Sequence, residues 1–197
     1  MKKIFFLITF LSSINYCSFS QEFNAGISVG VSTSQVSGDN LAGFNKAGII
    51  LGGFVNRKVN NQMMLQIEMI YIQKGSSNPN QNVNNLADIH LDYIEIPLLA
   101  IFKSSEKLSI EGGFHCSALI DGYYQDLYGE LENQTSFDNF ELGAIIGISY
   151  NLSPKISLNT RLNNSIIPIA EHASGQTYRF NMGKYNTGLN FILKYQI

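Results

Sequence analysis

The sequence is poor in charged residues, in cysteine and in tryptophan. Only 14% of its 197 residues are charged, 45% are hydrophobic, and the formal net charge is −2. A disordered chain combines low hydrophobicity with high net charge, so this composition indicates a folded protein. The lack of a basic excess also removes the attraction that a phosphate backbone requires. We therefore expect no nucleic-acid partner.

A long apolar run is also missing. After residue 21 no apolar stretch approaches the roughly 20 residues that a membrane-spanning helix needs. At the N-terminus, Lys2 and Lys3 precede a short apolar segment, and Ser18-Phe19-Ser20 supplies small residues before a cleavage point. This arrangement predicts a cleaved signal peptide at 1–20 and a mature domain at 21–197.

The cysteine content limits how the mature chain can be stabilised. Cys17 leaves with the signal peptide, so Cys116 is the only cysteine of the mature domain. A single cysteine cannot form an internal disulfide, although an exported protein meets oxidising conditions. An exported chain with neither an apolar helix nor a disulfide is a soluble periplasmic domain or an outer-membrane barrel.

Alternation with period two indicates strands. Bulky apolar residues such as Ile27, Val29 and Val31 occupy one phase, while glycine and small polar residues occupy the other. Each segment reaches the roughly 9–11 residues that a tilted strand needs to cross a bilayer. Eight strands are predicted: 23–33, 46–57, 62–73, 91–103, 107–118, 140–150, 155–163 and 184–197.

The connections between these strands alternate in length. Long ones are predicted at 34–45, 74–90, 119–138 and 166–183, and short ones at 58–61, 104–106 and 151–154. Long extracellular loops and short periplasmic turns are typical of outer-membrane barrels. We therefore predict an all-β, eight-stranded antiparallel up-and-down transmembrane β-barrel in the cell outer membrane, with both termini in the periplasm. Side chains fill the interior of a barrel of this size, which argues against a diffusion pore.

The inward phase of the predicted barrel collects charged side chains. Carboxylates buried without partners would be prohibitively costly, so we expect ion pairs with nearby cations or shared protons. We expect one polar network that joins Glu68 and Glu95 to Arg161. A structural filling of the interior is the favoured interpretation, and a gate or proton-sensitive plug is the alternative. The charged residues of this phase are Glu68, Glu95, Glu111, Glu141, Lys155 and Arg161.

A short histidine and serine pattern raises an enzymatic alternative. His115, Ser117 and the downstream Glu130 are similar to the His-x-Ser plus Glu arrangement of outer-membrane lipid A deacylases. Such an enzyme presents its nucleophile to lipid, whereas His115 and Ser117 share the inward phase and Glu130 falls in a loop. We therefore expect no enzymatic activity. No spacing resembles a zinc site or a phosphate loop, and neither a metal nor a cofactor is expected.

The strand ends and the last strand carry further signals. Pro97 removes a ladder hydrogen bond within a predicted strand, which indicates a bulge or the membrane boundary. Tyrosines near strand ends suit interfacial girdles, or equally the caps of a soluble core: Tyr71, Tyr93, Tyr150, Tyr185 and Tyr195. The last strand fits the polar-x-Gly-x-x-aromatic-x-apolar signal for the outer-membrane insertion machinery, with Asn186, Gly188, Phe191 and Leu193.

Two motifs resemble those of a known family. The segment 66–75 reads Q-I-E-M-I-Y-I-Q-K-G and the segment 93–99 reads Y-I-E-I-P-L-L. Together they look like the signature of the PorT-like outer-membrane β-barrel family of Bacteroidota. The resemblance implies an eight-stranded outer-membrane barrel with Glu68 and Glu95 on the inner face of adjacent strands. One branch of that family takes part in type IX protein secretion.

Two hypotheses about function follow. The first is an integral outer-membrane barrel of structural or accessory role, surrounded by outer-membrane lipid, whose long extracellular loops contact a protein partner. The second is a soluble periplasmic or secreted β-barrel that binds a small apolar ligand in its interior. The two differ in which phase is exposed, because a soluble barrel would place its leucines and isoleucines inside.

Overall fold

The computed structural model describes residues 22–39, 41–80, 86–132, 134–171 and 183–197, and the predicted signal peptide lies outside these ranges. Within them no helix is long and apolar enough to cross a membrane. The secondary structure consists of strands. They are β1 (Phe23–Ser37), β2 (Lys46–Lys58), β3 (Met63–Ser76), β4 (Asp88–Lys103), β5 (Leu108–Asp126), β6 (Gly129–Glu130), β7 (Phe140–Asn151), β8 (Ile156–Ser165) and β9 (Tyr185–Gln196).

Eight of these strands form a closed antiparallel barrel, which confirms the predicted fold. Each strand pairs with the next along the chain, except that β5 pairs with β7 across the two-residue β6. The first and last strands close the ring, with Ile27 opposite Tyr195 and Val31 opposite Phe191. Closure pairs the backbone groups of both edge strands, as a bilayer requires.

The two ends of the barrel differ, as the alternation of connection lengths predicts. Residues 59–62, 104–107 and 152–155 form tight turns at one end, here called the short-turn end. The other end, here called the long-loop end, carries the longer connections and the hairpin of β5 with β6. Several strands extend beyond their predicted bounds at the long-loop end, because backbone pairing continues where the apolar alternation stops. They are β1, β3, β4 and β5.

The apolar phase faces outward on all eight barrel strands. Phe114 is 60% exposed and Ile146 is 62% exposed, whereas Ser117 and Arg161 on the inward phase are almost fully buried. A surface of this kind is stable only against lipid. The soluble barrel that turns its apolar phase inward is therefore wrong, since the apolar phase of the alternating segments lies on the outside.

The interior of the barrel is layered. An apolar core fills the half toward the long-loop end, built mainly from isoleucines, leucine and Tyr93. A smaller apolar group of Leu99, Ile101 and Ile145 lies elsewhere in the interior. Tyr93 and Tyr185 are 0% and 3% exposed, so the prediction that they belong to an aromatic girdle is wrong. Tyr71, Tyr150 and Tyr195 do lie on the outer phase.

Pro97 interrupts the hydrogen-bond ladder between β3 and β4 without shifting its register. Between β3 and β4 the pairing runs from Ile67↔Leu98 directly to Ile70↔Glu95, and the register is the same on both sides of the gap. The register shift of β4 lies instead between Asp92 and Tyr93, against β5. The expectation that Pro97 marks a bulge is therefore wrong, because the strand continues through it with only the local hydrogen bonds missing.

Candidate functional site in the barrel interior

The inward side chains near the middle of the barrel form two ionic clusters. The structure places Glu68, Glu95, Glu111, Glu141 and Arg161 in the interior, each at most 2% exposed. They come from five different strands, so only barrel closure brings them together. None of these carboxylates faces lipid. Each lies beside at least one cation, as the cost of burying an isolated charge requires.

The first cluster, here called the arginine cluster, consists of Glu68, Glu111, Arg161 and Lys194. Arg161 donates from Nη1 and Nη2 to the two carboxylate oxygens of Glu68, at 2.9 and 2.6 Å. Its Nε donates to Glu111 Oε1 at 2.5 Å. Lys194 Nζ donates to Glu68 Oε1 at 2.6 Å. One guanidinium thus ties together three strands, with the planar fork geometry that suits a carboxylate.

Buried amides satisfy the remaining acceptors of the arginine cluster. Gln66 Nε2 donates to Glu68 Oε1 at 2.5 Å, and Asn159 Nδ2 donates to Glu111 Oε2 at 3.1 Å. Asn56 Nδ2 in turn donates to Gln66 Oε1 at 3.3 Å. Such additional hydrogen bonds are what make a buried ion pair tolerable.

A glycine makes room for the contact between Glu111 and Arg161. Gly147 on β7 lies in register between them, opposite Glu111 on β5 and opposite Arg161 on β8. A Cβ atom at Gly147 would come within 2.9 Å of Arg161 Cγ and 3.0 Å of Glu111 Oε1. The two long side chains therefore meet above a position where any side chain would separate them.

The second cluster, here called the lysine cluster, consists of Lys74, Glu95, His115, Ser117 and Glu141. Lys74 Nζ lies 2.7 Å from Glu95 Oε2 and 3.1 Å from Glu141 Oε1. Ser117 donates to Glu95 Oε2 at 3.1 Å, and His115 Nδ1 lies 3.2 Å from the same oxygen. The amide of Asn186 donates to Glu141 Oε2 at 2.9 Å.

Two of the predicted relationships are wrong. Lys155 does not reach the interior, because β7 ends before it and it lies exposed in the turn to β8, with its Nζ 5.9 Å from the ring of Tyr195. Glu95 does not share a network with Arg161. Its cation is Lys74, and within the described ranges no hydrogen bond or ion pair joins the lysine cluster to the arginine cluster.

Sequence reasoning missed two of the three cations of these clusters. The sequence predicts Lys74 in the connection 74–90, whereas β3 continues to Ser76 and turns Lys74 inward. Lys194 has the inward phase of the last strand, a signal that could have marked it as a partner for the glutamates. Four predicted inward carboxylates against two predicted inward cations, Lys155 and Arg161, already indicated further cations.

The arrangement of His115 and Ser117 does not suit catalysis. Both side chains are buried on the inward phase, at 1% and 0% exposure; Ser117 donates to Glu95 at 3.1 Å, and its Oγ lies 2.9 Å from His115 Nδ1. Glu130 lies in β6, outside the lysine cluster. A deacylase of lipid needs its nucleophile at the outer surface, so this placement removes the geometric basis for the esterase alternative.

The four residues of the expected insertion signal lie on β9, two on its inward phase and two on its outer phase. Asn186 and Gly188 are buried on the inward phase, whereas Phe191 and Leu193 are exposed on the outer phase. Asn186 has a further role, because its side chain bonds Glu141 and its backbone N–H donates to Ser165 Oγ at 2.8 Å. Part of the sequence pattern is thus explained by packing inside the barrel.

A third group of polar residues lies outside the membrane, at the long-loop end. Asp39 accepts a hydrogen bond from the backbone N–H of Leu41 at 2.9 Å, and burial raises the pKa of its carboxyl group. Burial lowers the pKa of Lys184, whose Nζ donates to the hydroxyl of Tyr124 at 2.9 Å. The first contact orders the first loop, and the second joins the residue before β9 to β5.

The packed interior leaves little free space. At the short-turn end a cavity of about 80 Å³ is lined by polar side chains that include Asn56, Ser109 and Asn159. Beyond it lie the two ionic clusters, and the apolar core fills the half toward the long-loop end. Side chains therefore obstruct the path through the barrel at several levels.

The comparison with known families agrees with this geometry. The model of the family described as "Outer membrane protein beta-barrel domain" matches residues 19–171. The chain belongs to this family. Like other members of the outer membrane protein beta-barrel domain family, it is an outer-membrane protein surrounded by lipid. No curated protein matches the chain.

Solved outer-membrane barrels share the fold of this family member. Neisserial surface protein A, NspA, is 13% identical with a TM-score of 0.55, and the match covers 88% of this chain and 97% of NspA. Ail, the attachment invasion locus protein of Yersinia pestis, is 14% identical with a TM-score of 0.53, and the match covers 89% of this chain and 99% of Ail. Another Ail structure holds the heparin analogue sucrose octasulfate. At such identities the likeness shows the fold alone.

Proposed function

We propose that this protein is a closed, non-enzymatic outer-membrane barrel with a structural or accessory role. The observation that carries the proposal is the filled interior, in which Arg161 on β8 meets Glu68 on the opposite wall. A pore would need a continuous polar path, whereas here ion pairs and an apolar core succeed one another. The two clusters hold the walls together, which is a structural role rather than a gate.

Conductance tests the closed interior. The protein, refolded and checked by its heat-modifiable gel mobility, is inserted into a planar bilayer under an applied voltage. We expect no steady channels at any pH at which the barrel stays folded. Steady single-channel currents from barrels with the folded gel mobility would contradict the proposal. Channels that open only on acidification would support the proton-sensitive plug instead.

The long loops are the proposed site of contact with a partner, with the long-loop end extracellular and both termini in the periplasm. Support comes from the hairpin of β5 and β6, which rises from the barrel wall. The sequence from Asp121 to Asp138 has five acidic residues and no lysine or arginine. Its charge favours a cationic partner and does not suit a polysulfated ligand like the one bound by Ail. Protease accessibility of this hairpin in intact cells would test the orientation.

We further propose membership of the PorT-like group of Bacteroidota and a link to type IX secretion. The proposal is supported by the Q-I-E, Q-K-G and Y-I-E-I-P-L motifs, which supply Glu68, Lys74 and Glu95 to the interior clusters. Deletion of the gene, followed by measurement of type IX cargo in the medium, tests the link. Normal cargo release would limit the protein to a role outside that pathway.

Export and insertion complete the proposal. The segment 1–20 is cleaved as a signal peptide, which N-terminal sequencing of the purified protein would test. Asn186, Gly188, Phe191 and Leu193 present the last strand to the insertion machinery. Phe191→Ser should slow assembly in cells more than it slows refolding of the purified protein in detergent. Equal slowing of assembly and of refolding would show that Phe191 contributes to packing and not to recognition by the insertion machinery.

A further inference from the structure

The lipid-facing surface of the barrel carries a groove across strands β2 to β5, toward the short-turn end. Its volume is about 740 Å³. The lining is mostly apolar and has one charged residue, Arg57; the side chains of its two polar residues, Asn56 and Gln66, are buried on the inward phase. The residues that shape it are the walls Leu65, Ile67, Leu98 and Phe114 and the floor Ala100 and Gly112.

Missing side-chain volume produces the groove. Ala100 and Gly112 are opposite each other in the β4–β5 ladder, next to the exposed pair of Leu98 and Phe114. A Cβ atom at Gly112 would meet nothing nearer than the carbonyl oxygen of Ile145, at 3.7 Å. The floor is therefore open toward the bilayer, and a side chain could occupy it without disturbing the barrel.

The groove runs from the rim of the barrel into the apolar belt. Arg57 is the next-to-last residue of β2, and its cross-strand partner is Leu65. The same row continues from Leu65 to Ala100 and on to Gly112, which is the fifth residue of β5. Because barrel strands are tilted against the axis, this row rises from the membrane interface toward the hydrocarbon.

Arg57 lies at the polar end of the groove with its side chain exposed. Within the described ranges no acidic side chain forms an ion pair with it. A guanidinium presents a planar set of donors that matches a phosphate group bidentately. A cation at the interface and an apolar channel leading away from it together match the two parts of a phospholipid.

We infer that this groove binds one glycerophospholipid, with its phosphate at Arg57 and an acyl chain along Ala100 and Gly112. An acyl chain in the groove contacts apolar walls on both sides, whereas a chain on the convex surface of the barrel contacts protein on one side only. The groove therefore adds dispersion contacts for the bound chain. Assignment of the lipid to the periplasmic leaflet rests on the proposed orientation. Binding itself requires only the membrane barrel, so the following test does not depend on the proposed function.

Native mass spectrometry of the purified full-length protein measures the retained lipid. The probe is dioleoyl-phosphatidylglycerol, titrated into protein in a mild detergent, and dioleoylglycerol is the matched lipid without a phosphate. We expect one phosphatidylglycerol retained per barrel and weaker retention of dioleoylglycerol. Arg57→Gln should weaken retention about tenfold, the effect of one lost charge-assisted contact. Gly112→Leu should abolish retention because it fills the floor of the groove.

Matched variants separate the groove from the general lipid surface. Lys155→Gln removes a cation at the same end of the barrel, and Thr160→Leu adds volume to the outer phase of β8, away from the groove. Both should retain lipid like the natural protein. The folded gel mobility of every variant shows that the barrel is intact. Full retention by Gly112→Leu, or equal losses in the control variants, would overturn the proposal.

Photolabelling locates the bound chain. A phosphatidylglycerol with a diazirine in the acyl chain should label β4 and β5 around Leu98 and Phe114 in preference to β7 and β8. Labelling should fall in Gly112→Leu. Uniform labelling around the barrel would show an ordinary lipid annulus and would also overturn the proposal.

Discussion

Arg161 on β8 donates two hydrogen bonds, of 2.9 and 2.6 Å, to the carboxylate of Glu68 on β3, directly across the barrel. The two strands are four places apart in a ring of eight, so the pair spans the interior. Arg161 also holds Glu111, which makes it the cation with the most partners in the arginine cluster. The predictions below start from this pair.

Loss of Arg161 should destabilise the barrel strongly. Arg161→Met leaves Glu111 without its cation and Glu68 with Lys194 alone, and breaking a buried ion pair costs about 3–5 kcal/mol. Urea unfolding followed by circular dichroism measures the change, since the chain lacks tryptophan. Lys155→Met, at an exposed turn, serves as the control and should change the free energy of unfolding by less than about 0.5 kcal/mol. A similar small change in Arg161→Met would refute the structural role.

The two ionic clusters should behave independently. Lys74→Met removes the cation shared by Glu95 and Glu141. The destabilisation of the double variant Lys74→Met with Arg161→Met should equal the sum of the two single variants to within about 0.5 kcal/mol. The reason is that no bond among the described residues connects the clusters. Glu68→Gln with Arg161→Met should instead cost clearly less than the sum of the two single variants. A large coupling between Lys74 and Arg161 would restore the single network that the sequence suggested.

Gly147 should tolerate no side chain. Gly147→Val places atoms against Arg161 and Glu111 and should destabilise the barrel by about 1–3 kcal/mol, as overpacking usually does. Gly112→Ala is a matched control on the neighbouring strand, where a Cβ atom would make only an ordinary contact of 3.7 Å with the carbonyl oxygen of Ile145. The comparison uses the same urea unfolding curves. Equal stability of the two variants would contradict the close approach at Gly147.

A charge in the middle of the outer belt should impair folding into lipid. Ile146 is 62% exposed and lies in the middle of β7, so Ile146→Arg should cost about 2–4 kcal/mol in vesicles. The fraction of protein with the folded gel mobility measures the effect. Tyr128→Arg, at a 96% exposed position in the β5–β6 hairpin, should fold like the natural protein. Normal folding of Ile146→Arg would place this face outside the hydrocarbon.

Asp39 should make the barrel less stable as the pH rises. Burial raises the pKa of its carboxyl group, so the folded state binds the proton more tightly than the unfolded state. Its contribution is therefore most favourable below about pH 4 and is lost as the pH rises through the raised pKa. Asp39→Asn keeps an acceptor for Leu41 and should be the more stable form at pH 7 but not at pH 4. Gln134→Ala, at an exposed loop position without a titratable group, should change the stability equally at the two pH values.

The strand count, the barrel and its orientation of phases could all be predicted from the sequence. Alternation with period two and the alternating lengths of the connections are local properties, and a bilayer allows strands to cross only in a closed barrel. The positions of Glu68, Glu95 and Arg161 on the inward phase follow from the same alternation. Strand ends were predicted less well, because pairing at the long-loop end continues without an apolar pattern, which is why Lys74 was missed.

The partners of each charge could not be predicted. Glu68 and Arg161 are 93 residues apart, and only the order of strands around the ring and their stagger bring them face to face. Phase alone also placed Lys155 inside, although the strand begins one residue after it. The sequence by itself determined an outer-membrane barrel with charged residues in its interior, since alternation and loop length are written along the chain. Only the tertiary structure decided that these charges form two separate clusters, because ion pairing depends on distances that closure of the barrel sets.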